Sequence, residues 1–190
     1  MPEVTLTIDT AAQMHALGRS LATLLRAGDL VILSGGLGAG KTTLTQGIGA
    51  GLGVRGPITS PTFVIARVHP PVVSAATGAA PSGQPRPPLV HADAYRLGSV
   101  LELDDLDLDM DTAASVTVVE WGEGLAEGLA DDRLEIAITA EAGVSGADGA
   151  DEAADPDDTV ADAPRTVRIS AVGERWEGIK LPLLTLPDRL

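Results

Sequence analysis

Apolar and hydroxyl side chains alternate along Val4-Thr5-Leu6-Thr7-Ile8, the period of a strand with one buried face. Asp9 and Thr10 then offer oxygens that can cap a helix. Met14, Leu17, Leu21 and Leu24 follow at helical spacing, and Gly28 stands where such a helix would stop. Leu30 to Leu33 is an unbroken apolar run, as in a strand buried on both faces. A second helix is predicted from Lys41 to about Ala50, closed by Gly51 and Gly53. Further strands are predicted at Phe63 to Val68, Leu89 to Ala92, Val116 to Trp121, Leu134 to Thr139 and Val167 to Val172. Leucines and acids mix from Leu101 to Met110, a pattern that fits an amphipathic helix and a strand equally.

Two segments interrupt this pattern. Residues 70–88 are rich in Pro, Ala, Gly and Ser and contain no acid, whereas residues 141–164 hold eight acids and no Lys or Arg. Neither carries enough apolar surface to offset the entropy of ordering, so both are expected to be flexible insertions between strands. The expected organisation is a single domain over residues 1–190, a length that suits one α/β core.

Charge changes the picture less than it first suggests. The chain has 27 acids against 13 Lys+Arg, a net charge of −14. Outside residues 141–164 the balance is 27 − 8 = 19 acids against the same 13 basic residues, or −6. An acidic surface repels phosphate backbones and argues against a protein that grips nucleic acid alone, DNA included. The absence of cysteine excludes disulfides and zinc–thiolate sites. No basic-then-apolar leader and no uncharged apolar run of about 20 residues is present, so a cytoplasmic protein without membrane contact is expected.

The chemistry is concentrated where the buried run Leu30–Leu33 meets the second helix. Gly35-x-x-x-x-Gly40-Lys41-Thr42 is a complete Walker A pattern between a strand and a helix. Glycines let successive N–H groups turn inward around a phosphate, and the helix N-terminus adds partial positive charge. Lys41 can reach the β- and γ-phosphates, and the Thr42 hydroxyl is a magnesium ligand. The chain contains two lysines, Lys41 and Lys180, so a composition that nearly excludes lysine still places one at this position. No asparagine occurs, which removes the usual guanine-reading Asn-Lys-x-Asp. Two further acids end predicted strands, Asp93 and Glu120. The carboxyl ends of parallel strands are where a Walker B acid would hold magnesium.

Four motifs occur in order: Gly35-x-Leu37-Gly38-Ala39-Gly40-Lys41-Thr42-Thr43, Ser60-Pro61-Thr62-Phe63, His91-Ala92-Asp93-Ala94-Tyr95-Arg96-Leu97 and Glu120-Trp121-Gly122-Glu123. Together they resemble the bacterial TsaE (YjeE) family, P-loop ATPases of tRNA threonylcarbamoyladenosine biosynthesis. The resemblance spans about residues 4–139. It implies a P-loop NTPase-like three-layer α/β fold around a mostly parallel or mixed sheet. It also implies an ATPase of low intrinsic activity, using ATP and Mg2+ and working with TsaD-like and TsaB-like proteins. Contact with tRNA would be indirect, through that complex.

By the same resemblance, Gly35, Gly38, Ala39, Gly40, Lys41, Thr42 and Thr43 hold the nucleotide, with Thr10 near its base. Lys41, Asp93 and Glu120 act in catalysis, and Thr42, Glu120 and Asp93 lie around the metal. Ser60 to Phe63 resembles the family's switch-like loop. The chain departs from its relatives at Gly36, where many carry an acid, at Ala92 and Ala94, where bulkier residues are common, and at Gly122, where proline is common. Two other functions share the P-loop unit: a small-molecule kinase, and a regulatory module in which ATP binding rather than hydrolysis is the output. His91 reads as a core residue or one that supports the site, and Trp121 as packing beside Glu120.

Overall fold

The structure is a computed structural model, which describes residues 2–61, 66–72, 86–95, 112–140 and 164–181. Seven strands form one mixed sheet: β1 (Glu3–Ile8), β2 (Leu30–Gly35), β3 (Ala66–His69), β4 (Leu89–Asp93), β5 (Val116–Glu120), β6 (Arg133–Ala140) and β7 (Arg165–Val172). Their spatial order is β1-β7-β6-β2-β5-β4-β3. The central four, β6-β2-β5-β4, run parallel, and β1, β7 and β3 add antiparallel margins.

Sequence pattern and position agree. β4 and β5 are buried at every residue, His91, Asp93, Thr117 and Glu120 included, and the unbroken apolar run Leu30 to Leu33 of β2 is buried likewise at the centre of the sheet. The alternating strands β1, β6 and β7 lie on one side of it: β6 and β7 bury alternate residues, whereas in β1 Ile8 is buried and Val4 and Leu6 are half-buried. Both helices, α1 (Ala11–Ala22) and α2 (Lys41–Leu52), cover the same face of the sheet. There Met14, Leu17, Leu44 and Ile48 pack on Val31, Leu33, Val118 and Ile136. On the opposite face a smaller cluster joins Leu30, Ile32, Ala92, Ala94, Val119 and Ala126, with Leu125 and Ala130 packed against it. The segment that follows β5 thus supplies the third layer among the described residues.

Several boundaries differ from the sequence expectation. α1 ends at Ala22: the Thr23 N–H bonds back to Ser20 and Leu21, and the chain leaves the helix before Leu24. Gly28 is therefore no helix cap; it sits at φ 88° in the turn leading into β2. α2 runs on through Gly51 to Leu52 and stops at Gly53, which adopts the left-handed conformation. β3 is described over Ala66–His69, and residues 62–65, which hold the start of the predicted strand, lie outside the described part. The ends of the 70–88 segment are tied down: the Arg55 N–H donates to Pro70 O, the Val72 N–H to Gly53 O and Arg86 Nη1 to Gly51 O. The remainder of that insertion, the acidic one at 141–163 and the Leu101–Met110 segment lie outside the described residues. Among the described residues no helix is long and apolar enough to cross a membrane.

One ion pair locks the end of the described chain to the start of β2. Arg175 Nη2 lies 3.0 Å from Asp29 Oδ2, with side chains 8% and 5% exposed. Arg175 Nη2 also donates to Leu24 O at 2.8 Å, and its guanidinium covers the Trp176 ring. Burial raises the Asp29 carboxyl above its ordinary value, although the Arg26 N–H and the Arg175 charge both oppose the shift. Removing one partner of such a pair strands a buried charge. Arg175→Met is expected to cost about 3 kcal/mol in urea unfolding, and Asp29→Leu added to it should recover most of that.

Candidate nucleotide site

β2 delivers the chain into the glycine loop at the carboxyl end of the parallel strands. Two glycines there are obligatory for different reasons. A Cβ on Gly35 (φ 144°) would run into the carbonyl oxygen of Ile138 on the neighbouring strand. Gly40 caps α2 at φ 105°, a conformation that costs an L-residue dearly and turns the first helical N–H groups toward the loop. Gly36 has nothing within 4 Å of its Cβ position, so a side chain is accommodated there.

Lys41 opens α2 and folds back over the loop. Its Nζ donates to Gly36 O at 2.9 Å and Gly35 O at 3.2 Å, and lies 3.9 Å from the centroid of the Trp121 ring. Only 1% of the residue is exposed, so these carbonyls and the π face replace the water that a lysine normally keeps. Trp121 reaches that place because its backbone adopts φ 58°, the sole positive φ among the described non-glycine residues. Tyr95 packs against the same ring with centroids 5.0 Å apart.

The parallel pairing of β4 and β5 puts Asp93 directly beside Glu120. Both point to the face that carries α2, and both are buried, at 5% and 1% exposure. The Thr42 hydroxyl donates to Glu120 Oε1 at 3.0 Å, with Oε2 at 3.3 Å. Asp93 Oδ1 accepts the Tyr95 N–H at 2.8 Å, and Oδ2 accepts the Ser60 hydroxyl at 3.4 Å. Gln46 Nε2 of α2 holds Ile58 O at 3.0 Å, which pins the approach to Ser60.

Lys41, Thr42, Asp93, Glu120 and Ser60 therefore meet at one end of the sheet, while Gly35, Gly38, Ala39 and Gly40 line the loop before them and Thr43 continues α2. Thr10 stands apart from this polar cluster. Its side chain accepts the Gln13 N–H at 3.2 Å and caps α1, the helix whose Met14 lies against Gly40.

Two further residues belong in this description: His91, which opens the His91-to-Leu97 motif, and Arg165, which lies in no motif. His91 Nε2 lies 2.7 Å from Glu120 Oε1. His91 and Asp93 are two apart on one strand and share a face, so the pattern carried a signal, but the contact with Glu120 depends on the β4–β5 register. Arg165, the first residue of β7, is buried at 4% exposure, and its Nε is 4.0 Å from where a Gly40 Cβ would stand. Nothing local in the sequence marks it.

The oxygen set fits Mg2+. Thr42, Glu120 and Asp93 are hard donors, and among the described residues no group of three or more His, Cys, Asp or Glu side chains forms a cage. Magnesium is typically held by one or two carboxylates together with substrate phosphates rather than by such a cage.

A glycine loop between a central parallel strand and a helix N-terminus, with acids ending the adjacent parallel strands, defines a P-loop NTPase-like protein. Residues 8–146 match the family model described as "Threonylcarbamoyl adenosine biosynthesis protein TsaE". The chain belongs to the TsaE family. It is 56% identical over 164 residues to the tRNA threonylcarbamoyladenosine biosynthesis protein TsaE of Streptomyces coelicolor, covering 86% of this chain and 93% of that protein. The TsaE of Mycobacterium tuberculosis is 46% identical over 140 residues, 70% of this chain and 77% of that protein. Among solved structures, Bacillus subtilis YdiB superimposes with a TM-score of 0.60 at 26% identity, covering 93% of this chain and 90% of that one.

Proposed function

We propose that this chain binds and hydrolyses ATP as a subunit of the bacterial machinery that makes threonylcarbamoyladenosine in tRNA. In this reading it supports turnover of a TsaD-like and TsaB-like transferase. The observation that carries the proposal is the convergence of Lys41, Thr42, Glu120 and Asp93 at the glycine loop of a TsaE-family chain.

In this reading the loop N–H groups and the N-terminus of α2 cradle the β-phosphate. Lys41 exchanges its hold on the Gly35 and Gly36 carbonyls for the β- and γ-phosphate oxygens. Thr42, whose hydroxyl donates to Glu120, would hold Mg2+ through its oxygen. Thr42 and Glu120 would hold the Mg2+, which would supply positive charge to offset that developing on the phosphates. In this reading Asp93, beside Glu120 and tethered by Ser60 and the Tyr95 N–H, would act near the γ-phosphate or the metal. Trp121, with Tyr95 packed against it, covers Lys41, so in this reading the lysine must leave the ring before it engages phosphate. That requirement accords with low activity in the absence of partners.

Reconstitution tests the proposal. ATP hydrolysis and tRNA modification should both rise when the chain is combined with TsaD- and TsaB-like proteins of the same organism. No stimulation in either assay would overturn it. A phosphorylated small molecule formed without partners would instead make the chain a kinase. Full support of modification by Glu120→Gln, with hydrolysis abolished, would make it a binding switch.

A further inference from the structure

His91 is fully buried, and its two ring nitrogens have opposite surroundings. Nε2 faces Glu120 Oε1 at 2.7 Å, whereas Nδ1 is buried without a hydrogen-bond partner. An ionised carboxylate can only accept, so the nitrogen facing it must be the donor. A proton on Nδ1 would instead be a buried donor with nothing to receive it, which is unfavourable. The surroundings therefore favour the tautomer with its proton on Nε2.

This bears on Glu120. The terminal torsion of a glutamate is broad and two-fold, so a single contact does not set the plane of its carboxylate. Here two donors on different elements grip the group, His91 from β4 and Thr42 from α2. We propose that His91 is a positioning residue for Glu120: its Nε2–H fixes the carboxylate so that Glu120 stays turned toward the Thr42 hydroxyl and keeps that oxygen oriented for metal. The inference rests on the reading of this pocket as a Mg2+–nucleotide site. It assigns His91 no contact with substrate.

The closing experiment has two arms on the full chain. The first is ring-nitrogen NMR without nucleotide. The sequence has three histidines, so loss of one set of signals in His91→Gln identifies the residue. A protonated Nε2 and a bare Nδ1 are expected, and a ring protonated on Nδ1 alone overturns the proposal. The second arm measures how Mg2+ tightens ADP and ATP binding by calorimetry, alongside ATP hydrolysis with the partner proteins. His91→Leu should raise the Mg2+ requirement or lower kcat by about 10- to 100-fold, while Mg2+-free ADP binds with about the wild-type affinity. His91→Gln keeps an N–H that can reach the same oxygen and should regain most of the loss. Unchanged Mg2+ dependence in His91→Leu, or equal damage in both variants, makes His91 a packing residue and overturns the proposal. A wild-type chain that hydrolyses no ATP refutes the ATPase reading alone, because the Mg2+ titration still decides the role of His91. If the wild-type chain binds no nucleotide at all, the tautomer decides whether His91 holds Glu120.

Discussion

Lys41→Ala is expected to weaken ATP binding by about 100-fold or more, the largest functional effect of any single substitution in this chain. The estimate follows from what the ammonium does when nucleotide enters. In the proposed site it would form charge-assisted hydrogen bonds to two phosphates, each worth about 1.5–3 kcal/mol, and every 1.4 kcal/mol is a factor of ten. Alanine makes neither. The helix N-terminus and loop N–H groups remain, so residual binding dominated by the β-phosphate should persist and discriminate poorly between ATP and ADP. Lys180→Ala is the matched control: Lys180 is exposed and removes the same charge from the same chain. Titration of both variants by calorimetry at fixed Mg2+ and salt separates the site effect from the change in net charge. Equal affinities in Lys41→Ala and wild type would remove Lys41 from the site.

That expectation was legible in the sequence because the P-loop is a local device. Its glycines, lysine and threonine lie within eight consecutive residues, and the flanking Leu30–Leu33 run and the apolar helix supply the context. The central strands were legible for a related reason. A strand buried on both faces is mostly apolar: Leu30–Leu33 of β2 is an unbroken run, and β4 and β5 are apolar apart from His91, Asp93, Thr117 and Glu120, whereas β1, β6 and β7 alternate. The four ordered motifs carried the family.

What escaped is non-local, or is set by hydrogen bonds rather than side-chain polarity. The apolar period of α1 continues to Leu24, and Leu25 is buried too, but the chain enters that part of the core from a turn. Burial alone does not report where i→i−4 bonding stops. Trp121 lies over Lys41 through a left-handed backbone that no propensity anticipates for tryptophan. Arg165 and Gly40 are 125 positions apart and approach only because β7 closes on β1 and β6. Likewise His91 meets Glu120 through the register of two parallel strands, which sequence alone does not fix.

The second large effect is on stability and concerns the contact of α1 with α2. Gly18→Ala is expected to destabilise the fold by about 3 kcal/mol or more, beyond the usual cost of overpacking. A Cβ at Gly18 would overlap the carbonyl oxygen of Leu44 and stand 2.7 Å from Ile48 N and 2.8 Å from Gly47 Cα. All three are backbone atoms of α2, so no rotamer change relieves the clash and the helices must separate. The approach is mutual: a Cβ at Gly47 would overlap His15 O and lie 3.0 Å from Gly18 Cα. For a domain of this size, 3 kcal/mol corresponds to a fall in Tm of about 6–12 °C. The consequence reaches the site, because α2 begins at Lys41 and its second residue is Thr42. Moving its axis displaces both residues relative to Glu120, so molecules of Gly18→Ala that remain folded should also bind ATP more weakly. Gly36→Ala provides the contrast. It lies in the phosphate loop itself, yet nothing stands within 4 Å of its Cβ position, so its stability should stay within about 0.5 kcal/mol of wild type. Thermal and urea unfolding of the two variants, with ATP titrations at a temperature where both are folded, test the pair. If Gly18→Ala proves as stable as Gly36→Ala, the helices do not meet through Gly18 and Gly47.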